Sequence, residues 1–268
     1  MFKDIKQVMK DSVLYGIGNV AVKLVGFILI PLYTDAEYFS TADYGLMGLL
    51  EVTSQILIAV MGLSLYSGLI RWYWDAEYRD KQKTIFFTTL LFTILTSLCI
   101  GSVLWLNVGE LSALLVQQEG YSLGGELPYI LQLLILTSML GAVVEVPQNL
   151  LRLQRKPIYY SLTNIVRLFA TLVLTIYFTI SLHRGVSGVY EAQLVGIVIQ
   201  LLMVLPLVIK NSSCRVDRKC TIQLLAYSYP LVFPAIVGSL LTVFDRYIIN
   251  HFQGLDDVGF YSLGYKVG

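Results

Sequence analysis

Charged residues are scarce in this sequence. Only 14% of its 268 residues are Asp, Glu, Lys or Arg, whereas 56% are hydrophobic. An ordinary soluble domain carries about 25% charged residues. The formal net charge is +1, so the basic surface of a nucleic-acid-binding protein is missing. The composition excludes a nucleic-acid partner and indicates a chain that lies in a lipid bilayer.

Residues that commonly perform catalysis or bind metals are also few. The two histidines are His183 and His251, and the three cysteines are Cys99, Cys214 and Cys220. Three cysteines cannot all pair, and the spacing in "CRVDRKC" fits neither a zinc site nor a redox motif. No GxxxxGK[ST] nucleotide loop occurs. We therefore expect reduced thiols, no enzyme activity, no catalytic residue, no metal and no cofactor.

Long apolar runs are what the sequence has instead. A membrane-spanning helix needs about 20 mostly apolar residues. Seven runs of this kind predict spans near Ser12–Tyr33, Tyr44–Ile70, Thr84–Leu106, Leu127–Leu151, Ile158–Leu182, Gly188–Ile209 and Ile222–Ile249. An eighth begins in "DDVGFYSLGYKVG". The first run contains Lys23 and lacks a small-residue cleavage site, so we expect a retained helix rather than a signal peptide.

The loops between these runs alternate in charge. Fourteen of the 19 lysines and arginines lie in the N-terminal segment and in the second, fourth and sixth loops, and the other loops hold Arg184 alone. Cytoplasmic loops collect lysine and arginine. The pattern predicts a multi-pass protein of the cytoplasmic (inner) membrane with a cytoplasmic N-terminus.

Several spans contain ionisable residues, each in a stripe of small and polar residues. A charge at the centre of a membrane helix costs about 2.5 to 3.5 kcal/mol on insertion scales, so such residues usually face a bundle interior or a cavity. The stripes are Ser12, Gly16, Asn19, Lys23 and Gly26; Gly48, Glu51, Gln55 and Gly62; Ser138, Gly141, Glu145 and Gln148; Asn164, Arg167, Thr171 and Thr175; and Pro230, Pro234, Gly238, Thr242 and Asp245.

These stripes predict one hydrophilic cavity. The residues expected to line it are Lys23, Arg167, Asn19, Glu51, Gln55, Glu145 and Asn164. A second interpretation stays open, because small and polar residues also join helices. Lys23 with Glu51, or Arg167 with Glu145, would then be structural ion pairs. Arg71, in "RWYWD", is either an entry contact or an interfacial anchor of arginine and aromatic residues.

Four segments carry a family resemblance: "PLYTDAEYFSTADYGLMGLLEV", "GLSLYSGLIRWYWDAEYRDKQK", "PQNLLRLQRKPIYYSLTNI" and "FDRYIINHFQGLDDVGFYSLGYKVG". The chain resembles the polysaccharide-biosynthesis and oligosaccharide flippases of the multidrug/oligosaccharidyl-lipid/polysaccharide (MOP) exporter superfamily. One departure is Asp35, where the family often has an arginine after the "PLYT"-like turn. Any role of a cation at that position is therefore lost or moved.

The resemblance implies an all-α polytopic membrane protein with two six-helix bundles related by a pseudo-twofold axis. Residues 1–211 would form the N-terminal bundle, and residues 212–268 would begin the second bundle with helix 7 and part of helix 8. An internal repeat is then expected. At an offset of 214 residues it matches Tyr15 with Tyr229, Tyr33 with Tyr247, Asp43 with Asp257, and Gly45 with Gly259.

The resemblance also implies a cargo, an oligosaccharide joined through a diphosphate to a polyprenol. The other expected partners are the lipid bilayer and glycosyltransferases or a polymerase of the same pathway. Active transport would use an ion gradient, with Glu51, Glu145 or Asp245 as the coupling residue. Two alternatives remain: a MATE-like antiporter of cationic drugs or metabolites, and a non-transporting membrane scaffold of a glycan-synthesising complex.

Overall fold

The computed structural model describes residues 28–115 and 125–267. Lys23, Asn19 and most of the first predicted span lie outside this part of the chain. Regular structure in the described ranges is helical throughout. We number the α-helices α1 Thr41–Gly62, α2 Leu65–Trp72, α3 Gln82–Leu106, α4 Val108–Leu115, α5 Leu127–Leu153, α6 Pro157–Ile176, α7 Gly185–Asn211, α8 Arg218–Phe252 and α9 Leu255–Val267. A 3₁₀ turn precedes α3, and a π-helical turn, Tyr177–Ser181, follows α6.

Six of these segments are long and apolar enough to cross a membrane. They are Thr41–Gly62, Ala76–Leu106, Leu127–Leu153, Pro157–Ser181, Gly185–Asn211 and Arg218–Leu241. Each overlaps one of the second to seventh predicted spans, and α9 falls on the eighth apolar run. The all-α, multi-pass membrane architecture expected from the sequence is therefore confirmed.

The helix α1 begins where its sequence supplies a cap. Ser40 Oγ accepts a hydrogen bond from the Asp43 backbone N–H at 3.1 Å, and Asp43 Oδ2 accepts one from the Ser40 N–H at 2.8 Å. This capping box satisfies backbone donors that the first turn of a helix leaves unpaired. It fixes the register of the helix that carries Glu51 and Gln55.

The second predicted span was wrong in one respect. We expected one helix from Tyr44 to Ile70, but α1 ends at Gly62, and Leu63 and Ser64 adopt positive φ angles of 45° and 52°. Such a conformation costs a residue with a side chain about 1–2 kcal/mol. Contacts with α8 offset this cost, because Ser64 Oγ donates to Leu231 O at 3.3 Å. Gly62 stands directly before the break, but the two residues with positive φ angles are Leu63 and Ser64, so glycine was not at the positions where the turn would favour it.

The interior is organised around α5, which packs against α1, α3 and α7, while α6 lies mainly against α7. Fully buried leucines and isoleucines of α1 and α5 form one core, including Leu46, Leu49, Leu50, Ile130, Leu131 and Leu134. Helices in lipid associate through close packing and interhelical hydrogen bonds rather than through the hydrophobic effect. The packing of α1 against α5 therefore holds in place the helix that carries Glu51 and Gln55.

The helices α1 and α9 cross at two glycines with almost no space between them. A Cβ atom on Gly45 would lie 1.9 Å from Leu255 O, and one on Gly259 would lie 2.4 Å from Thr41 O. At the 214-residue offset, Thr41 corresponds to Leu255 and Gly45 to Gly259. The contact is therefore reciprocal, as an interface across a twofold axis must be. It supports the predicted pseudo-twofold relation.

Candidate functional site

A cavity of about 400 Å³, lined by both polar and apolar residues, lies between α1, α6, α7 and α9. We call it the central cavity. Its described lining includes Tyr33, Tyr44, Gly48, Glu51, Asn164, Arg167, Thr171, Tyr190, Gln193 and Ser262. Glu51 is in the middle of α1, and Arg167 is in the middle of the span that α6 begins. Three predicted cavity residues, Glu51, Asn164 and Arg167, thus come together near the middle of their spans.

Neutral amides hold the guanidinium of Arg167. Its Nη1 donates to Gln200 Oε1 at 3.1 Å, and Gln200 Nε2 donates in turn to Asn164 Oδ1 at 3.0 Å. Asn164 Nδ2 donates to Tyr160 O at 2.8 Å, which anchors the series to the backbone of α6. Gln200 is almost completely buried. The amides therefore orient the cation but do not neutralise it.

The structural ion pair of Arg167 with Glu145, which was the alternative to a cavity, is not present. Both residues are described, yet no ion pair within 4.0 Å joins them, and they line different cavities. In the described part of the chain, Arg167 makes no ion pair with any carboxylate. The other proposed pair, Lys23 with Glu51, includes a residue outside the described ranges and stays a prediction.

Three tyrosines form the aromatic part of the central cavity. The rings of Tyr33 and Tyr44 lie 6.1 Å apart at an angle of 50°. Tyr190 OH donates to Met47 O at 3.4 Å, which ties the buried α7 side chain to α1. Aromatic rings offer apolar faces together with hydroxyl groups. The cavity therefore combines a cation, a carboxylate, amides and rings.

A second cavity, of about 510 Å³, lies between α1, α2, α5 and α8. We call it the α8 cavity. Gln55 and Glu145 line it together with Ser64, Tyr66, Pro234 and Gly238. The sequence predicted one cavity, whereas the structure places the described candidates in two. The reason is packing: α5 turns Glu145 toward α1 and α8, whereas α6, on the other side of α7, turns Arg167 toward α1 and α9.

Much of the predicted polar stripe on α5 joins helices. Ser138 Oγ lies 3.0 Å from Ser54 Oγ, and Gln148 Nε2 donates to Thr163 Oγ1 at 2.9 Å. Asp245 is absent from the described lining of both cavities. Its Oδ2 accepts a hydrogen bond from Tyr261 OH and so connects α8 to α9. At these positions the structure agrees with the alternative that polar residues connect helices.

Arg71 lies at the end of α2, outside both cavities. Its guanidinium carbon is 5.0 Å from the centre of the Trp72 ring, and its Nη1 is 4.0 Å from Asp75 Oδ2. Arginine beside exposed aromatic residues is typical of a membrane interface. These contacts favour the interfacial anchor over the entry contact.

Sequence reasoning missed the contribution of α7. Gln193 lines the central cavity and Gln200 holds Arg167, yet neither was a candidate. Gln193, Gly196 and Gln200 recur at intervals of three and four residues, which is the spacing of one helix face. This spacing, had it been applied to the sixth span, would have identified them.

Comparison with solved structures shows the fold. A MATE protein solved in complex with MaD3S superposes with a TM-score of 0.74 at 14% identity, over 98% of this chain and 60% of that chain. A MATE transporter of Vibrio cholerae gives 0.72 at 15% identity, over 98% and 60%. A MOP superfamily transporter from Pyrococcus furiosus gives 0.62 at 15% identity, over 91% and 53%. The chain thus spans little more than half the length of these proteins.

Sequence comparison is more specific about the family. No curated protein sequence matches the chain significantly. The family model described as polysaccharide biosynthesis protein matches residues 8–268, which is nearly the whole chain. The chain therefore belongs to the polysaccharide biosynthesis protein family, and its fold is that of the MOP superfamily transporters.

Proposed function

We propose that this chain moves a polyprenyl-diphosphate-linked oligosaccharide across the cytoplasmic membrane for the synthesis of surface polysaccharide. The family, the transporter fold and a partly polar cavity near the middle of the spans support the proposal. A sugar cannot cross hydrocarbon unaided, since each unpaired hydroxyl costs about 2 to 7 kcal/mol. A cavity lined by amides and tyrosine hydroxyls removes this cost.

The observation that carries the proposal is that Arg167 faces the central cavity with an uncharged hydrogen-bond partner. Its guanidinium lines the central cavity and is held by Gln200, a neutral partner. A diphosphate needs cationic donors, because hydrogen bonds between charged partners are about twice as strong as neutral ones. Arg167 would bind the diphosphate, with Asn164 orienting it through Gln200. We assign Lys23 and Asn19 to the same cavity on the strength of the sequence pattern.

Glu51, Glu145 and Asp245 are our proposed coupling residues, because a carboxylate inside a membrane can bind a proton or a sodium ion. The structure gives them unequal positions. Glu51 shares the central cavity with Arg167, whereas Glu145 lines the α8 cavity, and Asp245 is hydrogen-bonded to Tyr261. Bound cargo in the central cavity would lie beside Glu51, so Glu51 is our first choice for the coupling residue.

A MATE-like antiporter of cations is the second candidate, and one observation favours it. Glu145 lines the α8 cavity, and among the described residues no lysine or arginine lies within 4.0 Å of its carboxylate. An anionic cavity of this kind suits a cationic cargo. In that case Glu145→Gln would abolish transport and Arg167→Gln would not.

The test is glycan export in cells that depend on this protein, with membrane abundance measured in parallel. We expect Arg167→Gln to insert normally but to lower export about 10- to 100-fold, which corresponds to one lost charge-assisted hydrogen bond. Arg167→Lys keeps the charge and should retain part of the activity. Arg79→Gln, at an exposed position of the 3₁₀ turn before α3, is the matched control.

Two results would contradict the proposal. Normal export by Arg167→Gln would remove the cation from the mechanism. Failure of the purified protein to move fluorescent lipid-linked cargo in proteoliposomes, despite normal glycan synthesis in cells, would favour the scaffold alternative instead.

A further inference from the structure

A third pocket, outside both cavities, lies at the membrane end where α2 and α5 finish and α6 begins. It has a volume of about 690 Å³ and is lined by Tyr73, Trp74, Leu153, Gln154, Arg155 and Lys156. Arg155 and Lys156 are both exposed. We call this the headgroup pocket. The transport mechanism proposed above does not use it.

The described lining of the headgroup pocket carries two positive charges and no negative charge. The nearest carboxylate along the chain is that of Asp75, which does not line the pocket. Its Oδ1 accepts a hydrogen bond from the Glu77 backbone N–H at 3.0 Å, and its Oδ2 faces Arg71 at 4.0 Å. The pocket therefore attracts anions.

Arg155 occupies a backbone position that glycine would fill with less strain. Its φ angle is 53°. It closes α5 in a Schellman turn, in which Arg155 N–H donates to Arg152 O at 3.1 Å and Lys156 N–H to Leu151 O at 2.9 Å. Glycine is the usual residue at this site. An arginine in this conformation costs about 1–2 kcal/mol relative to glycine.

Hydrogen bonds fix the walls of the pocket. Gln154 Nε2 donates to Tyr73 OH at 3.1 Å and to Asn211 Oδ1 at 2.8 Å, and Lys156 Nζ donates to Gln154 Oε1 at 2.7 Å. The Tyr73 and Trp74 rings meet edge to face, 5.2 Å apart. Trp74 is 64% exposed, and exposed tryptophans at the ends of spans lie at the level of lipid headgroups.

We propose that the headgroup pocket binds the phosphate of an anionic phospholipid. Basic pockets between membrane helices bind the headgroups of such lipids. Arg155 and Lys156 supply donors for the phosphate, and Leu153 and the exposed Trp74 ring supply apolar surface for the glycerol and the first part of the acyl chains. A free phosphate would use the two cations but not the apolar wall, so a lipid is the better match.

The experiment uses Trp74 as its reporter. In a Trp72→Phe, Trp105→Phe background reconstituted in lipid vesicles, quenching by brominated phosphatidylglycerol is compared with quenching by brominated phosphatidylcholine. We expect a preference for the anionic lipid, which Arg155→Gln with Lys156→Gln lowers by about fivefold per charge removed. Arg79→Gln with Lys83→Gln removes the same charge from two exposed positions, in the 3₁₀ turn before α3 and in the first turn of α3, and should leave the preference intact.

The Arg155→Gly variant separates lipid binding from folding. Glycine relieves the strain of the turn, so this variant should melt at a higher temperature in detergent than the parent protein, yet show a weaker preference for the anionic lipid. A stabilised variant with an unchanged preference would overturn the proposal, as would an equal loss in the Arg79, Lys83 control. Displacement of the lipid by millimolar glycerol phosphate would show that the site takes free phosphates, and it too would contradict the assignment.

Discussion

At the scale of single residues, the central cavity depends on how a guanidinium is held inside a membrane. Arg167 donates to Gln200, which donates to Asn164. A carboxylate in place of Gln200 would neutralise the cation, whereas an amide orients it and leaves its charge available. An arginine with a purely structural role would be better served by the carboxylate. A glutamine at this position is therefore what the proposed binding of an anionic cargo requires.

This argument makes a prediction for Gln200→Glu. The new carboxylate would lie about where Gln200 Oε1 now accepts from Arg167, at 3.1 Å. We expect an ion pair that keeps or raises membrane abundance but lowers glycan export about tenfold or more, because the diphosphate loses its cation. Export and abundance are measured together in the same cells.

The control for this substitution is Gln200→Met, which removes the hydrogen bond without adding charge. It leaves Arg167 positive though less well oriented, so its export should lie between those of the parent and Gln200→Glu. If the methionine variant were the more severely impaired in export, orientation rather than charge would be the property that matters.

The positions of single residues also show which parts of the site the sequence could predict and which it could not. The polar stripes correctly placed Glu51, Asn164 and Arg167 on faces that meet, because helical periodicity alone decides which residues share a face. They could not show that Glu145 belongs to a different cavity. That depends on which neighbour each helix packs against, which is a tertiary property and leaves no trace in the spacing of one helix.

At the scale of elements, the described spans were predictable because hydrocarbon requires long apolar helices. The break at Leu63 and Ser64 was not, since its support comes from α8, far away in the sequence. The helix α8 shows the opposite effect. Pro230 and Pro234 lie inside it without ending it, as is tolerated where neighbours in a membrane satisfy the freed backbone groups.

The crossing of α1 and α9 leads to a prediction at this scale. Gly45→Ala would place a methyl group 1.9 Å from Leu255 O, so the helices must separate. Overpacking of this kind typically costs about 1–3 kcal/mol. We expect a lower melting temperature in detergent than that of the parent protein.

Gly264→Ala is the matched control, because α9 also carries this glycine but a Cβ atom added there would have no neighbour within 4 Å among the described residues. Alanine there should be neutral or stabilise the helix by about 0.5–1 kcal/mol. Equal melting temperatures for the Gly45 and Gly264 variants would show that the α1–α9 crossing is loose, and would count against the tight reciprocal contact.

At the scale of the whole molecule, charge is distributed by side of the membrane. The 3₁₀ turn before α3 and the start of α8 exchange two ion pairs, Lys219 Nζ with Glu77 Oε1 at 2.6 Å and Lys81 Nζ with Asp217 Oδ2 at 2.5 Å. Both segments come from loops that the lysine and arginine count assigns to the cytoplasm. Their contact shows that these two loops lie on the same side, as that count requires.

The orientation itself can be tested with the native cysteines. Cys214 is exposed in the loop before α8, Cys220 is 3% exposed, and Cys99 lies on α3 inside an apolar span. The nucleophile that attacks a maleimide is the thiolate, which forms in water rather than in hydrocarbon or a packed interior. A membrane-impermeant maleimide should therefore label Cys214, and neither of the others, once the membrane has been opened.

For a matched control, Cys214→Ser with Glu37→Cys moves the thiol to an exposed position in the loop before α1, which should react in intact cells. Labelling of Cys214 in intact cells at the rate seen after opening would reverse the assigned orientation, because a cytoplasmic thiol cannot meet a reagent that does not cross the bilayer.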